Sequence, residues 1–265
     1  LIQQFFIYVN NVFHGNLGRS FNQYPRLVSD ILAQSLPWTI AIQLPSLIIG
    51  WIVGNILGAV AAYRKGIFDR IIFPLSLFFS SIPVFVLALL MKYYLGVYAH
   101  WFPMQGAYDA ELMPSATFTF YWSLFRHWQL PFLATCLVMI GGQAIGMRSM
   151  SLYELNADYV LYAKLLGIPE NKITKYVFKN AVLPQITGLA LSLGTMISGA
   201  LITEIVFSYP GIGTQLVNAI HNVDYTLISG CTLFISITAL IANFTIEIIY
   251  GLIDPRIRAI QMEEE

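Results

Sequence analysis

Residues 38–62 read WTIAIQLPSLIIGWIVGNILGAVAA. The stretch carries no charged side chain and is long enough to cross a bilayer core, which takes about 20 apolar residues in helix. Gly50, Gly54 and Gly58 recur within it at four-residue spacing. That spacing places the three glycines on one helical stripe, where a second backbone can approach closely. In lipid there is no hydrophobic drive for helices to associate, so small residues at the contact take over that role. The stretch therefore reads as a membrane helix shaped to pack against another, and the chain as a helical bundle.

Working outward, charge-free runs of spanning length also occur at 71–91, 128–147, 180–203 and 225–246. The first run extends over 31–63, with Pro37 and Trp38 marking a start for its helix and Ala62 its end. Five spans are predicted. Further glycines at 141, 142, 146, 188, 194 and 199 repeat the packing signal in the third and fourth spans. The stretch 205–223 is interrupted by Tyr209-Pro210-Gly211-Ile212-Gly213 and made polar by Gln215, Asn218, His221 and Asn222. It reads as a loop or re-entrant turn. Composition agrees with a membrane bundle, since 57% of the 265 residues are hydrophobic and 11% charged. With 14 basic against 14 acidic residues there is no basic surface for nucleic acid.

Lysine and arginine are retained on the cytoplasmic side. With five spans, the segments 63–70, 148–180 and 251–265 share one side and hold ten of the 14 basic residues. That side is read as cytoplasmic, which puts the first residue outside and the last inside. Trp38, Trp101, Trp122 and Trp128 fall near the outer interface, with Trp51 the exception. An external start at Leu1 without a preceding span suggests a further amino-terminal span. The expected organisation is an external segment over 1–37, a transmembrane domain over 38–262 with a cytoplasmic loop at 148–180, and a tail at 263–265.

Cys136 and Cys231 lie inside predicted spans as small apolar residues, and His14, His100, His127 and His221 show no metal-ligand spacing. No GxxxxGK[ST] phosphate loop, HExxH or GxSxG occurs. No catalytic residue, metal site or bound cofactor is expected in this chain, and any energy input is expected from another subunit. Glu204 and Glu247 lie at span ends. Each reads either as an interfacial or helix-end carboxylate or as part of a substrate path. Gln43, Asn55, Gln143 and Asn243 fit a polar path or hydrogen bonds between helices.

The segment 148–180 holds five basic and three acidic residues. Residues 150–166 contain neither glycine nor proline and read as a continuation of the third span. Gly167 ends that helix, and Pro169 with Glu170 starts a second one. In the second helix Ile173, Tyr176 and Val177 recur at helical spacing, with Lys172, Lys175 and Lys179 on other faces. A short amphipathic helix results, lying on anionic lipid or docking into a partner groove.

At this segment the chain resembles the permease subunits of binding-protein-dependent ABC importers, in the dipeptide, oligopeptide and nickel branch. The family's EAA-xxx-G pattern falls on Leu161-Tyr162-Ala163, Lys164-Leu165-Leu166 and Gly167, with Ala163 and Gly167 matching; Asp158-Tyr159-Val160 to Gly167 is similar to the peptide-branch form. Four other stretches resemble the same branch: 15–20, Leu130-Pro131, 204–213 and 254–258. The first departs from a GDLG-x-S pattern by Asn16.

The resemblance implies an all-α type I ABC importer transmembrane domain in a prokaryotic cell membrane. It also implies a second homologous permease, two ABC subunits that bind ATP and Mg, and an extracytoplasmic substrate-binding protein as partners, with membrane lipid around them. It assigns the loop around Gly167 to ATPase coupling. On that reading Ala163 and Gly167 set the bend, while Tyr162, Lys164, Pro169, Glu170, Asn171 and Lys172 form the contact. The aromatic loop 92–127 is implied as a binding-protein contact and Tyr209 to Gly213 as an external gate; with Gln143 and Glu204 from the polar pattern, Tyr209, Pro210 and Gly211 make up the candidate path or gate residues. Peptides or short oligosaccharides are the implied cargo. Nickel import, or an ion-coupled secondary transporter titrating at Glu204 or Glu247, is the alternative.

Overall fold

The computed structural model describes residues 2–64 and 66–253, with the backbone alone at 187, 194, 195, 197–200, 246, 247 and 249–253. Among these residues the chain is helical apart from its loops and one isolated bridge between Arg19 and Leu27. The helices are α1 (Ile2–Phe13), α2 (Val28–Arg64), α3 (Ile67–Ser81), α4 (Val84–Met91), α5 (Phe118–Leu155), α6 (Asp158–Leu165), α7 (Glu170–Phe207), α8 (Ile212–His221) and α9 (Tyr225–Ile253). A π-helical segment, Lys92–Tyr98, follows α4 directly.

Helices α2 and α5, and α9 as far as Thr245, are long and apolar enough to cross a membrane. The second expected span, 71–91, is not one straight helix. It falls on α3 and α4, which meet at a bend of 98°. The cause lies in the sequence, because Ile82 precedes Pro83 and takes extended backbone, φ −83° and ψ 125°. The fourth expected span lies within α7, several of whose residues are described by their backbone alone. The roles expected for Gly194, Gly199 and Glu247, for the stretch 254–258 and for the tail 263–265 lie outside the described residues.

Two compact units are formed. One comprises Leu44–Leu90, Phe132–Leu193 and Thr245–Glu265. Its centre is the contact of α2 with α5, and the glycine stripe makes it. A Cβ on Gly50 would lie 2.6 Å from Cβ of Met139, and one on Gly54 would lie 2.6 Å from Cβ of Gln143 and 2.8 Å from the Ile140 carbonyl oxygen. A Cβ on Gly58 would fall on the carbonyl oxygen of Ala144. Gly141 does the same for α3, whose Ser76 oxygen and Ser80 nitrogen lie 2.6 and 2.8 Å from its absent Cβ. At the ends of these helices Arg148 donates twice to Asp69, at 2.6 and 2.8 Å, and stacks over Phe73 at 4.3 Å.

The other unit comprises Leu1–Gln43, Met91–Pro131 and Gly194–Phe244. Its core joins Val28, Ile31 and Leu32 of α2 with Ile212 and Ala219 of α8 and Leu227 and Cys231 of α9. This packing explains why α2 starts at Val28 rather than near Trp38 as expected: Val28, Ile31 and Leu32 are buried against protein. The stretch 205–223, expected as a loop or re-entrant turn, holds the ten-residue α8, whose apolar positions Ile212 and Ala219 enter the same core. The loops therefore present two separate constructions, an elbow in the first unit and a buried carboxylate clamp in the second.

Candidate functional site

The elbow is built around Gly167. Helix α5 ends at Leu155, where Asn156 N–H and Ala157 N–H donate to the carbonyls of Tyr153 and Glu154 at 3.2 and 3.1 Å. These i−3 bonds close the helix, and Asn156 further donates its side-chain amide to the Leu152 carbonyl at 3.0 Å. The expected continuous helix over 150–166 is therefore two helices, and the short one is α6. The helix expected as short, starting at Pro169 and Glu170, is instead the first part of the 38-residue α7.

Gly167 ends α6 with φ +73°, a left-handed conformation that glycine adopts without a Cβ penalty. Its N–H donates to the Lys164 carbonyl and the Ile168 N–H to the Ala163 carbonyl, both at 3.0 Å. This pair of bonds satisfies the last carbonyls of α6 and turns the chain back. Ile168 then joins a core of Val160 and Ala163 from α6 with Ile173 and Val177 from α7, together with Tyr63, Leu155 and Tyr159. Tyr63 donates its hydroxyl to the Thr174 carbonyl at 3.1 Å, and Tyr159 donates to Glu154 at 2.7 Å.

One face of α6 is thus buried and the other is bare. Leu161, Tyr162, Leu165 and Leu166 are 57, 64, 74 and 78% exposed. Lys164, Pro169, Glu170, Asn171 and Lys172 surround them and are exposed as well. The structure brings all the expected coupling-loop residues together except Ala163, which points into the core and shapes the turn. Ile173 and Val177 are buried as their spacing predicts, whereas Tyr176 is exposed.

The second construction centres on Glu204. The sequence reads it as an interfacial or helix-end carboxylate or as part of a substrate path. It is fully buried. Its Oε1 accepts from the Thr39 hydroxyl at 2.6 Å and its Oε2 from the Gly213 N–H at 2.7 Å. Thr39 in turn accepts from the Ile212 N–H at 3.0 Å. The first N–H groups of α8 thus find their partners on α7 and α2, and the carboxylate sits at the positive end of α8. A Cβ on Gly211 would overlap the Glu204 carboxyl group, and one on Gly213 would lie 2.6 Å from Cα of Leu201. The glycines of Pro-Gly-Ile-Gly are there because side chains do not fit.

Between α7 and α8, Tyr209 is buried edge-on against Trp38, with ring centroids 5.7 Å apart. Burial, reinforced by the Glu204 charge, pushes its hydroxyl well above the usual phenol range. The end of α7 is held by Lys92, which donates to the Val206 carbonyl at 2.6 Å, and by Gly106 N–H, which donates to the Phe207 carbonyl at 2.8 Å. Glu204, Tyr209 and Gly211 thus meet in one place. Gln143, read as a path residue or as one that bonds between helices, packs against Gly54 in the other unit.

Sequence reasoning missed Thr39 and Asp224. Asp224 caps α9 by accepting from the Leu227 N–H at 3.1 Å, and also accepts from Asn22 N–H at 3.1 Å and from the Ser20 hydroxyl. Burial raises its carboxyl, but these donors outweigh burial and hold it below the usual carboxylate range. The sequence did carry a signal here, an aspartate directly before the first apolar turn of a helix. Thr39 had no such signal.

The family description "binding-protein-dependent transport system inner membrane component" matches residues 54–259. The dipeptide transport system permease protein DppB of Lactococcus lactis is 30% identical over 260 residues, 97% of this chain and 81% of that protein. A putative peptide permease protein of Brucella ovis is 34% identical over 96% of this chain and 79% of its own length. DppB of Bacillus subtilis is 32% identical over 97% of this chain and 80% of its own. In fold the chain is similar to an amino acid ABC transporter subunit, with a TM-score of 0.64 at 10% identity over 85% of this chain and 95% of that one. It is also similar to an inward-facing methionine ABC transporter, with a TM-score of 0.63 at 15% identity over 84 and 96%. The all-α fold expected from the sequence, that of a type I ABC importer transmembrane subunit, is the fold found. This chain belongs to the inner membrane components of binding-protein-dependent transport systems, in the branch of the peptide permeases.

Proposed function

We propose that this chain forms half of the translocation path of an ATP-driven peptide importer and receives its mechanical input through the elbow at Gly167. The observation that carries the coupling is the bare face of α6. Four large apolar side chains lie exposed on a helix whose other face is locked into its own unit. A patch of this kind, rimmed by Lys164, Glu170, Asn171 and Lys172, has the make-up of a protein contact. An ATP-binding cassette subunit is the proposed occupant, holding ATP and Mg itself. The side carrying the elbow is then cytoplasmic, in agreement with its share of lysine and arginine.

A second homologous permease, a second cassette subunit and an extracytoplasmic binding protein complete the assembly on this reading. The cluster of Trp38, Tyr209 and Glu204 is proposed to shape the outer mouth. Peptides are the proposed cargo, in line with the names of the relatives. Glu204 has both carboxylate oxygens engaged by protein donors, which argues against its being an ion-coupling group.

The test uses the complete transporter in proteoliposomes. Leu165→Asp with Leu166→Asp, and separately Gly167→Pro, are expected to lower peptide uptake and binding-protein-stimulated ATP hydrolysis at least tenfold while the subunit still inserts. Unchanged uptake in both variants overturns the coupling role. For cargo, uptake of a labelled dipeptide is expected to be competed by unlabelled peptides, and competition by oligosaccharide or Ni2+ instead overturns the peptide assignment.

A further inference from the structure

Helix α1 has the sequence IQQFFIYVNNVF and none of its residues is buried. At 100° per residue Ile2, Phe5, Phe6, Val9, Val12 and Phe13 fall on one arc, and Gln3, Gln4, Asn10 and Asn11 on the opposite one, with Ile7 alone among the polar set. The four largest members of the apolar arc are open: Ile2 is 77% exposed, Phe5 61%, Phe6 65% and Phe13 85%. A soluble surface does not leave three phenylalanines bare on one stripe.

The position of α1 indicates what covers them. Gly15 turns the chain at φ +75°, and Leu17 and Gly18 lie against the start of α9, where Cγ2 of Thr226 is 2.8 Å from the absent Cβ of Gly18. Ser20 then bonds to Asp224, the cap of α9. Tyr8 and Asn11 of α1 line a cavity of about 290 Å³ with Tyr225, Thr226 and Ser229. One edge of α1 therefore faces the first turn of a helix that is long and apolar enough to span a membrane, of whose most apolar window only 17% is buried. The first turn of such a span is where hydrocarbon gives way to headgroups.

We propose that α1 is an interfacial helix that lies along the membrane surface with Phe5, Phe6 and Phe13 sunk among the lipid chains. Twelve residues make a helix of about 18 Å, too short for a bilayer core of about 30 Å, so it lies on the surface rather than crossing. It has no charged residue, so its hold on lipid comes from apolar burial and is independent of anionic headgroups. Through Ser20 and Asp224 it fixes the depth at which α9 enters the membrane.

The test labels single cysteines with a small environment-sensitive fluorophore in the complete transporter in phosphatidylcholine vesicles, with Cys136→Ala and Cys231→Ala as background. Labels at Phe5→Cys and Phe13→Cys are expected to be quenched at least threefold more by brominated lipid chains than by iodide, and the label at Gln4→Cys the reverse. Raising salt, or adding anionic lipid, is expected to change neither ratio. Iodide quenching at 5 and 13 would mean that the face is open to water, and quenching by neither agent would mean that protein covers it. Equal lipid quenching at 4, 5 and 13 would mean that the helix is immersed. Any of these three results overturns the proposal. A transport assay on the labelled variants confirms that each complex is intact.

Discussion

The hydroxyl of Ser20 donates to the carboxylate of Asp224, 204 residues further along the chain, and both residues are fully shielded from solvent. A buried carboxylate is tolerated only when donors replace its water, and here they come from Ser20, Asn22 and Leu227. Because these donors hold the folded-state pKa of Asp224 below its unfolded value, the carboxylate stabilises the fold above the unfolded pKa of about 3.9. That contribution is lost as pH falls through the lower folded value. Ser20→Ala removes one donor at a cost of about 1–3 kcal/mol and lets the folded pKa rise toward the unfolded value, so the acid limb keeps its onset near the unfolded pKa but becomes shallower and ends at higher pH. Thermal unfolding in detergent as a function of pH checks this. An unchanged acid limb in Ser20→Ala would sink the assignment.

The Glu204 clamp predicts coupling between α2 and α7. Thr39→Ala removes the 2.6 Å bond between the two residues, and Glu204→Gln, which keeps one acceptor oxygen where the carboxylate has two, loses either that bond or the one from Gly213. Either one is expected to cost about 1–3 kcal/mol, because a buried polar group is left without its partner. Together they are expected to cost less than their sum by at least about 0.5 kcal/mol, because the two residues share one hydrogen bond. Glutamine also brings an amide donor toward donors already in place, so Glu204→Gln is expected to be the worse single change. Additive effects in the double-mutant cycle would show that the contact carries no energy.

How much of this was legible depends on the range of the contact. The stripe Gly50, Gly54 and Gly58 was readable because close helix packing in lipid demands small residues at that period. Its partners Met139, Gln143 and Ala144 were not, since nothing local selects them. Gly167 was readable as a helix end because a left-handed turn favours glycine. Which side of it carried the short helix was not, because α5 closes at Asn156 with neither glycine nor proline. The bend at Ile82 is legible in the pre-proline position of that residue, although the run of apolar residues across it is unbroken. Thr39, Glu204 and Gly213 meet only when three helices are in place, and no spacing along the chain announces that.

The glycine contacts predict unequal tolerance. Gly58→Ala puts a methyl group on the carbonyl oxygen of Ala144, and Gly54→Ala puts one 2.6 Å from Cβ of Gln143, whereas nothing lies within 4 Å of a Cβ on Gly142. Overpacking a tight backbone contact costs about 1–3 kcal/mol. In an open helical site alanine is favoured over glycine by about 1 kcal/mol. Gly54→Ala and Gly58→Ala are therefore expected to lower the unfolding temperature and reduce yield in membranes, and Gly142→Ala to leave both unchanged or improved. Equal behaviour of the three would remove the case for a close α2 to α5 contact.

Val223 predicts a gain in stability. It ends α8 with φ +55°, its N–H donating to the Ile220 carbonyl at 3.2 Å and the next N–H, that of Asp224, to the Ala219 carbonyl at 2.8 Å. This is the bonding that Gly167 makes at the end of α6, placed here on a β-branched residue for which the left-handed region is unfavourable by about 1–2 kcal/mol. The side chain is 56% exposed, so little packing offsets the strain. Val223→Gly relieves it but frees the unfolded chain by about 0.4–1 kcal/mol, leaving a net gain of about 0.5–1 kcal/mol. The unfolding temperature is expected to rise by about 1–4 °C. Val223→Ala keeps the Cβ and is expected to gain less. A fall in unfolding temperature for Val223→Gly would mean that the valine side chain makes a contact worth more than its backbone strain.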